Sequence, residues 1–423
     1  MHVALLTHHY LPEAGAPQRR WRAFVRRFRA AGHEVTVFTP PPHYPSGQLM
    51  DQSDAYRPGS ITQGAFGETI IRVRFRAHTQ QLVSRSIDQA IAAADSVASG
   101  MRHFRYRPKP DVIIATAPGL PTIPAGMALG ALLRRPVAVE MRDAWPDLIE
   151  PSGMLGPQDA RSLMRHTTVH TAHTLITRMQ TQADAVVTTT QSFAEILRQR
   201  GVPRVHVIRN GYTPDIVPAL PQPAPHEGLR VLYVGTMGRS QGLDGVVDAT
   251  VIARGQGTDI SVRVIGTGAE EPALRRQAEL LDAPVEFLGR MPREKIWEHY
   301  AWSDSAVVSL RDWPPLAWTI PSKLYEALGT QRHVSGVLRG ESADVIREAD
   351  AGLVSPPGSP RKLAEQWQRL AAYREPLCVG SSGRRWVTEH AHHDALAHDY
   401  LAVLNDLVER KRRRLIYRGS RHR

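Results

Sequence analysis

The sequence predicts two doubly wound α/β domains in tandem, and three observations carry that prediction. Short β-branched runs recur along the chain, helical patterns separate most of them, and a proline-dense stretch divides them into two series. Such alternation folds as a parallel sheet with crossover helices. At 423 residues the chain also exceeds what one ordinary core accommodates.

The first series reads HVALLT from His2, EVTVFTP (Glu34–Pro40), TIIRVRFR (Thr69–Arg76), DVIIATAP (Asp111–Pro118), PVAVEMRD (Pro136–Asp143) and DAVVTTT (Asp184–Thr190). The second reads RVLYVGTMG (Arg230–Gly238), SVRVIGTG (Ser261–Gly268), VEFLGRM (Val285–Met291), SAVVSL (Ser305–Leu310) and RHVSGV (Arg332–Val337). Between them TPDIVPALPQPAPHEG, residues 213–228, has almost no apolar periodicity and reads as an interdomain linker. The expected boundaries are an N-terminal domain over 1–212, that linker, and a C-terminal domain over 229–385. A closing helix is expected over 386–410, with Leu396, Tyr400, Val403, Leu404 and Leu407 at helical spacing, and then a frayed basic tail over 411–423.

Composition narrows the class. Hydrophobic residues at 42% and charged residues at 22% are the balance of a soluble globular protein. The single cysteine, Cys378, excludes an internal disulfide framework and suits a reducing cytoplasm. No basic segment precedes the first apolar run, so the start reads as a buried strand rather than a signal peptide. Val112–Leu133 is uncharged over 22 residues, but Pro118, Gly119, Pro121 and Pro124 interrupt it. It reads as strand, loop and core helix, and no transmembrane segment is expected. The net charge of +12 comes almost wholly from arginine. Without zinc-finger spacing, an aromatic RNA-binding motif or a helix-turn-helix pattern, nucleic acid is not an expected partner. Anionic lipids or small anions suit a basic surface as well, so peripheral contact with an anionic membrane is left open.

Several stretches are candidates for chemistry. At the first strand–helix junction, Glu13, Ala14 and Gly15 bring backbone N–H groups to the carboxyl edge of the sheet, where open α/β folds bind ligands. The junction is not G-x-G-x-x-G, and a plain loop is the competing reading. The helix that follows sets Trp21, Phe24, Val25 and Phe28 on one stripe. It is read as packing on its own sheet with its arginines in water, the alternative being an amphipathic membrane helix. Arg72, Arg74 and Arg76 alternate along an expected strand and give it a cationic face, either solvated or facing a phosphate. Arg142 and Asp143 follow a strand, with Trp145 able to stack on a ring; a helix-start aspartate explains the same residue. His166, His170 and His173 share a helix face without a carboxylate or cysteine to complete a ligand set, and no D-x-D pair is present. No metal site is expected.

The stretch TIPSKLYEALGTQRHV (Thr319–Val334) places a helix start after a strand of the second series. Free N–H groups and the helix dipole favour a phosphate there, Lys323 adds a full charge, and Glu326 can bridge the vicinal hydroxyls of a ribose. Ordinary capping by Ser322 accounts for the same residues.

Together YLPEAGAP, HYPSGQL, KPDVIIATAP, RDAWPD, ADAVVTTT, VIRNGYTPD, YVGTMGRSQGLDGVVDA, FLGRMPREKIWEHY and IPSKLYEALGT resemble, in order, the family-four retaining glycosyltransferases of the GT-B fold. The resemblance runs from residue 1 to about 400 and is nearest to amino-sugar and deoxysugar transferases of bacterial polysaccharide and lipid-linked oligosaccharide assembly. It implies two Rossmann-like domains facing each other across a cleft, with the closing helix packing back on the N-terminal domain. It implies an acceptor in the first domain and a UDP-, GDP- or dTDP-sugar in the second, with no metal required. Glu326 would hold the ribose, Ser322, Lys323 and Leu324 would lie at the diphosphate, and Arg290 and Met291 would line the base. Gly15, Gly235 and Gly266 would approach the donor, while Arg142 and Asp143 would stand near the anomeric carbon. The family's first glutamate is replaced by Trp318, and its loop arginine and lysine by Thr236 and Gln241, leaving Arg239 and Lys323 to supply the displaced charge. These departures bear on which hexose or N-acetylhexosamine is moved. A soluble natural-product acceptor, a nucleotide-sugar hydrolase or 2-epimerase, and an inactive GT-B binding subunit are the alternatives.

Overall fold

A computed structural model describes residues 1–79, 81–152 and 162–420. The chain divides into two compact units, residues 1–209 with 393–423, and residues 210–392. Residues 213–228 carry no helix or strand and belong to the second unit.

The first unit runs β1 (His2–Leu6), α1 (Ala16–Ala30), β2 (Glu34–Thr39), β3 (Ile61–Gln63), β4 (Thr69–Arg72), α2 (Leu82–His103), β5 (Val112–Thr116), α3 (Thr122–Leu133) and β6 (Val137–Met141). It continues with α4 (Ser162–Gln182), β7 (Ala185–Thr188), α5 (Gln191–Gln199) and β8 (Val205–Val207). Its sheet has the order β3-β4-β2-β1-β5-β6-β7-β8. All pairings are parallel except β3 against β4.

The second unit runs β9 (Leu229–Val234), α6 (Leu243–Gly255), β10 (Ile260–Ile265), α7 (Glu271–Leu280), β11 (Val285–Gly289), α8 (Arg293–Trp302), β12 (Ser305–Ser309) and α9 (Ser322–Gly329). Then come β13 (His333–Val337), α10 (Glu341–Glu348), β14 (Gly352–Ser355), α11 (Pro360–Ala372) and α12 (Ser382–Ala391). Its sheet is wholly parallel in the order β11-β10-β9-β12-β13-β14. That is the doubly wound order of dinucleotide-binding domains, whose crevice opens where the winding reverses, here between β9 and β12.

Every strand read from the sequence is present, because central parallel strands are near-continuous β-branched runs buried on both faces. Three short strands, β3, β8 and β14, were not anticipated. Each spans three or four residues, too few for periodicity to register. Residues 112–133 form strand, loop and core helix as expected, and among the described residues no helix is long and apolar enough to cross a membrane.

The C-terminal stretch corrects the reading at one point. α12 ends before His392, and α13 (His393–Ser420) stays helical through the basic run where fraying was expected. Ion pairs one turn apart, Arg410 with Asp406 and Arg413 with Glu409, suit a helix there. Leu396, Tyr400, Leu404 and Leu407 are buried in the first core, where Tyr400 meets the rings of Trp21, Phe24 and Phe28 from α1.

Two arginines are buried, Arg20 against the expectation of a helix face in water and Arg72 where a solvated or phosphate-facing strand face was expected. Arg20 of α1 donates from Nε and Nη2 to Glu140 Oε1 at 3.0 and 2.9 Å, and to the carbonyls of Ile208 and Arg209. Glu140, fully buried on β6, also accepts from Thr116 Oγ1 at 2.8 Å. Arg72 is the last residue of β4, so the expected cationic strand face does not form. Its guanidinium donates to the carbonyls of Pro40 and Leu11, while Arg74 and Arg76 are exposed beyond the strand. Arg20→Met would leave Glu140 charged, buried and unpaired. We expect it to cost about 3–5 kcal/mol, read as a lowered urea midpoint.

Candidate functional site

The second sheet gathers most of the expected site at its reversal point. The loop after β9 begins at Gly235, the loop after β12 leads through the 3-10 turn Pro314–Trp318 into α9, and both leave the carboxyl edge. Lys323, in the first turn of α9, reaches back to β9. Its Nζ donates to Tyr233 Oη at 2.5 Å and lies 4.2 Å from the centroid of the Tyr233 ring. Tyr233 in turn donates to the Thr236 carbonyl at 2.7 Å, and burial raises its hydroxyl well above the ordinary range. Burial lowers the Lys323 ammonium to about 7, with Glu326 acting in the opposite sense. Lys323 as a whole residue is part-buried.

Gly235 and Gly266 bring the loops after β9 and β10 into backbone contact. Gly266 has φ +133°, and a Cβ there would lie 1.9 Å from the Gly235 carbonyl oxygen. At Gly235 (φ +151°) a Cβ would meet Lys323 Nζ at 2.9 Å. Backbone bonds from Gly235 N to Ile265 O (2.9 Å) and from Gly266 N to Gly289 O (2.7 Å) tie the ends of β9, β10 and β11 together.

Glu326 lies one turn beyond Lys323 on α9. Its Oε1 accepts from Arg293 Nη2 at 3.2 Å, and Arg293 packs over the Trp297 ring. Arg290 is exposed and Met291 part-buried in the short loop between β11 and α8 that leads to Arg293. The N-cap of α9 is Pro321; Ser322 is the first helical residue and does not cap, because the chain enters the helix through the extended proline. Leu324 is fully buried, leaving its backbone as its polar contribution, and its N–H donates to the Pro321 carbonyl at 2.9 Å. Trp318 ends the 3-10 turn, half-buried.

Two expected contributors point elsewhere. The Gln241 side chain accepts from Gly238 N at 3.0 Å and holds its own loop. Arg239 is largely exposed and lies 3.6 Å from Glu270. Tyr233 and Arg293, which position the central cation and acid, were missed. One reads as strand core and the other as a helix-surface charge, and only tertiary contact reveals either.

The first unit places Gly15, Arg142 and Asp143 at the carboxyl edge of its own sheet. Gly15 caps α1 in an extended conformation. Arg142 is buried, donates from Nε to the Ala117 carbonyl at 2.9 Å, and has its pKa lowered by burial. Asp143 is part-exposed at the start of the loop that leaves β6. Beside them Glu13 is buried and saturated, accepting from His43 N (2.7 Å), Tyr44 N (2.9 Å) and Gln18 Nε2 (2.8 Å). Burial alone would raise its carboxyl, but the His9 contact and the His43 N–H bond bring it down to about 2. Of the helix histidines, His166 lies outside the described side chains, and His173 Nε2 sits 3.3 Å from Asp147.

Comparison with known proteins bears on the fold and the family. A family model described as a glycosyl transferase 4-like domain matches residues 15–211, and one described as glycosyl transferases group 1 matches residues 228–372. The Escherichia coli (strain K12) protein WcaI, named for glycosyl transfer in colanic acid biosynthesis, is 25% identical over 283 residues, 64% of this chain and 67% of its own. Sucrose-phosphate synthase from Thermosynechococcus elongatus superposes with a TM-score of 0.74 at 17% identity, covering 96% of this chain and 98% of that one. Anabaena HepE, solved in complex with UDP-glucose, gives 0.63 at 14%, covering 96% and 100%. WaaG, a glycosyltransferase involved in lipopolysaccharide biosynthesis, gives 0.63 at 15%, covering 95% and 99%. At such identities the superpositions speak for the fold, and the paired domain matches speak for descent. The chain belongs to the family-four glycosyltransferases of GT-B fold.

Proposed function

We propose that this glycosyltransferase takes a hexosyl or N-acetylhexosaminyl group from a nucleoside diphosphate sugar and passes it, with retention, to a lipid-linked glycan at a membrane face. The observation that carries the donor half is Lys323. It stands in the first turn of α9, beside Gly235, at the reversal point of a doubly wound sheet. A leaving diphosphate needs cations and N–H donors where its charge develops, and the Lys323 ammonium with the α9 N-terminus supplies both without a metal. Glu326 would accept from the ribose hydroxyls, and its bond to Arg293 holds the carboxylate ready. The neighbouring enzymes support the reading, since HepE is solved with UDP-glucose and WaaG acts in lipopolysaccharide biosynthesis. Gly15, Arg142 and Asp143 are assigned to the acceptor and the anomeric carbon.

The test is transfer from a panel of UDP-, GDP- and dTDP-sugars to a polyprenyl-diphosphate-linked glycan and to a soluble glycoside, with the anomeric product read by NMR. Glu326→Ala should raise the donor KM or Kd by one to two orders of magnitude, about 1–3 kcal/mol for lost bonds to a charged acceptor. Unchanged nucleotide binding in that variant, together with no turnover of any donor, would overturn the reading. Transfer to the soluble acceptor alone would overturn the lipid-linked half.

A further inference from the structure

Four polar side chains converge under the carboxyl edge of the first sheet, outside the residues assigned to transfer. His8 follows β1, His43 follows β2, His78 follows β4, and Asp88 lies on α2. Their exposures are 4%, 1%, 7% and 0%. His8 Nε2 is 3.1 Å and His78 Nε2 3.9 Å from the same atom, Asp88 Oδ2. The ligand atoms of His8, His43 and Asp88 all lie within 4.8 Å of one another, and the His43 ring is 5.0 Å from that of His8 and 5.5 Å from that of His78.

The decisive feature is which atoms are satisfied. His43 Nδ1 meets the Pro41 carbonyl at 2.8 Å, and His78 Nδ1 meets the Thr79 carbonyl at 2.8 Å. A ring that donates from Nδ1 to a carbonyl presents a bare lone pair at Nε2. This outer bond is the usual means of fixing the tautomer of a metal-binding histidine. Among the described residues, the Nε2 atoms of His8, His43 and His78 and Asp88 Oδ2 make no hydrogen bond; His8 and Asp88 approach closely but are not aligned for one. Asp88 Oδ1 is meanwhile held by Arg76 N at 2.8 Å, so one carboxylate oxygen is anchored and the other is spare. The bare Nε2 atoms of His43 and His78 are buried beside the spare Asp88 oxygen, which His8 Nε2 approaches to 3.1 Å, and a cation among them would satisfy all four atoms.

We propose that His8, His43, His78 and Asp88 form a closed zinc site. Zinc at about 2.0–2.1 Å from each ligand places neighbouring ligand atoms about 3.3 Å apart, close to the 3.1 Å between His8 and Asp88; His78, 3.9 Å from Asp88 and outside the set of atoms within 4.8 Å of one another, moves inward to become the fourth ligand. Four protein ligands leave no open position, so the ion is structural: it pins the loops after β1, β2 and β4 to α2. Glu13, whose oxygens are already taken, is a second negative charge beside the ion rather than a ligand. The expectation of no metal site came from the α4 histidines and the missing D-x-D; these ligands come from four separate elements and have no spacing to read.

The test uses the full chain without a histidine tag. Elemental analysis should find about one zinc per chain, and Zn²⁺ added to chelator-stripped protein should raise its melting temperature. Co²⁺ should give the intense visible bands of a tetrahedral N/O site. Asp88→Asn and His43→Gln should lose the stoichiometric ion, while His9→Gln, outside the four, keeps it. Substoichiometric zinc with no shift in melting temperature, or a weak octahedral Co²⁺ spectrum in the unmodified chain, would overturn the proposal. The unmodified chain decides even where a variant fails to fold.

Discussion

Lys323→Met should lower kcat/KM for sugar transfer about 10²–10³-fold, the scale of about 2.7–4 kcal/mol seen when one preorganised donor to a developing anion is removed. Methionine keeps the length and apolar stem, so packing against Tyr233 and Gly235 should survive and the loss should be chemical. The pH dependence gives the assignment a second readout. In the unliganded chain burial holds the ammonium at about 7. A bound diphosphate favours the charged form and moves that value up, so binding at pH 8 must take up a proton. UDP titrations in buffers of different ionisation enthalpy should show uptake above pH 7, affinity falling as pH rises, and neither effect in the methionine variant. The stability linkage has the opposite sense. The folded value lies below the ordinary 10.5, so the unfolded chain binds this proton more tightly, and the unliganded protein gains stability as pH rises from about 7 to 10. A pH-independent UDP affinity with no proton uptake would mean that Lys323 does not face the diphosphate.

The strands around this lysine were legible and its partners were not, for a physical reason. A central parallel strand such as β5 or β9 is buried on both faces, so its identity is written in consecutive residues. The opening of α9 was legible for a similar reason, since Pro321, Ser322 and Lys323 act through a helix terminus next to them in sequence. Tyr233 reads only as strand core, because its hydroxyl acquires a role once Lys323 arrives from 90 residues away. Arg20 and Arg72 misled because solvation is the default for arginine, and only a buried carboxylate or free carbonyls from another element reverse it. Trp318 and Gln241 show the limit of resemblance. The first is a substitution visible in sequence, but that the second turns inward onto Gly238 is a matter of local loop geometry.

Gly266→Ala should be among the most damaging single-methyl substitutions in the second unit. The added carbon would stand 1.9 Å from the Gly235 carbonyl oxygen and 2.9 Å from its carbon, both backbone atoms that no rotamer change can move. The φ of +133° adds strain of its own. Relief requires the loops after β9 and β10 to part, which breaks the bonds from Gly235 N to Ile265 O and from Gly266 N to Gly289 O. It would also withdraw Gly235 from Lys323. We therefore expect a loss of about 3 kcal/mol or more, with UDP binding abolished in whatever fraction still folds. Gly257→Ala is the matched control. It too has positive φ, at +86°, but its Cβ would meet nothing within 4 Å. It should cost only the conformational term of about 1 kcal/mol and leave UDP affinity intact. The difference between the two in urea midpoint and in UDP titration isolates the steric contact from the backbone preference. Equal losses in both would show that the loops yield freely, and that the meeting of Gly235 with Gly266 does not set the position of Lys323.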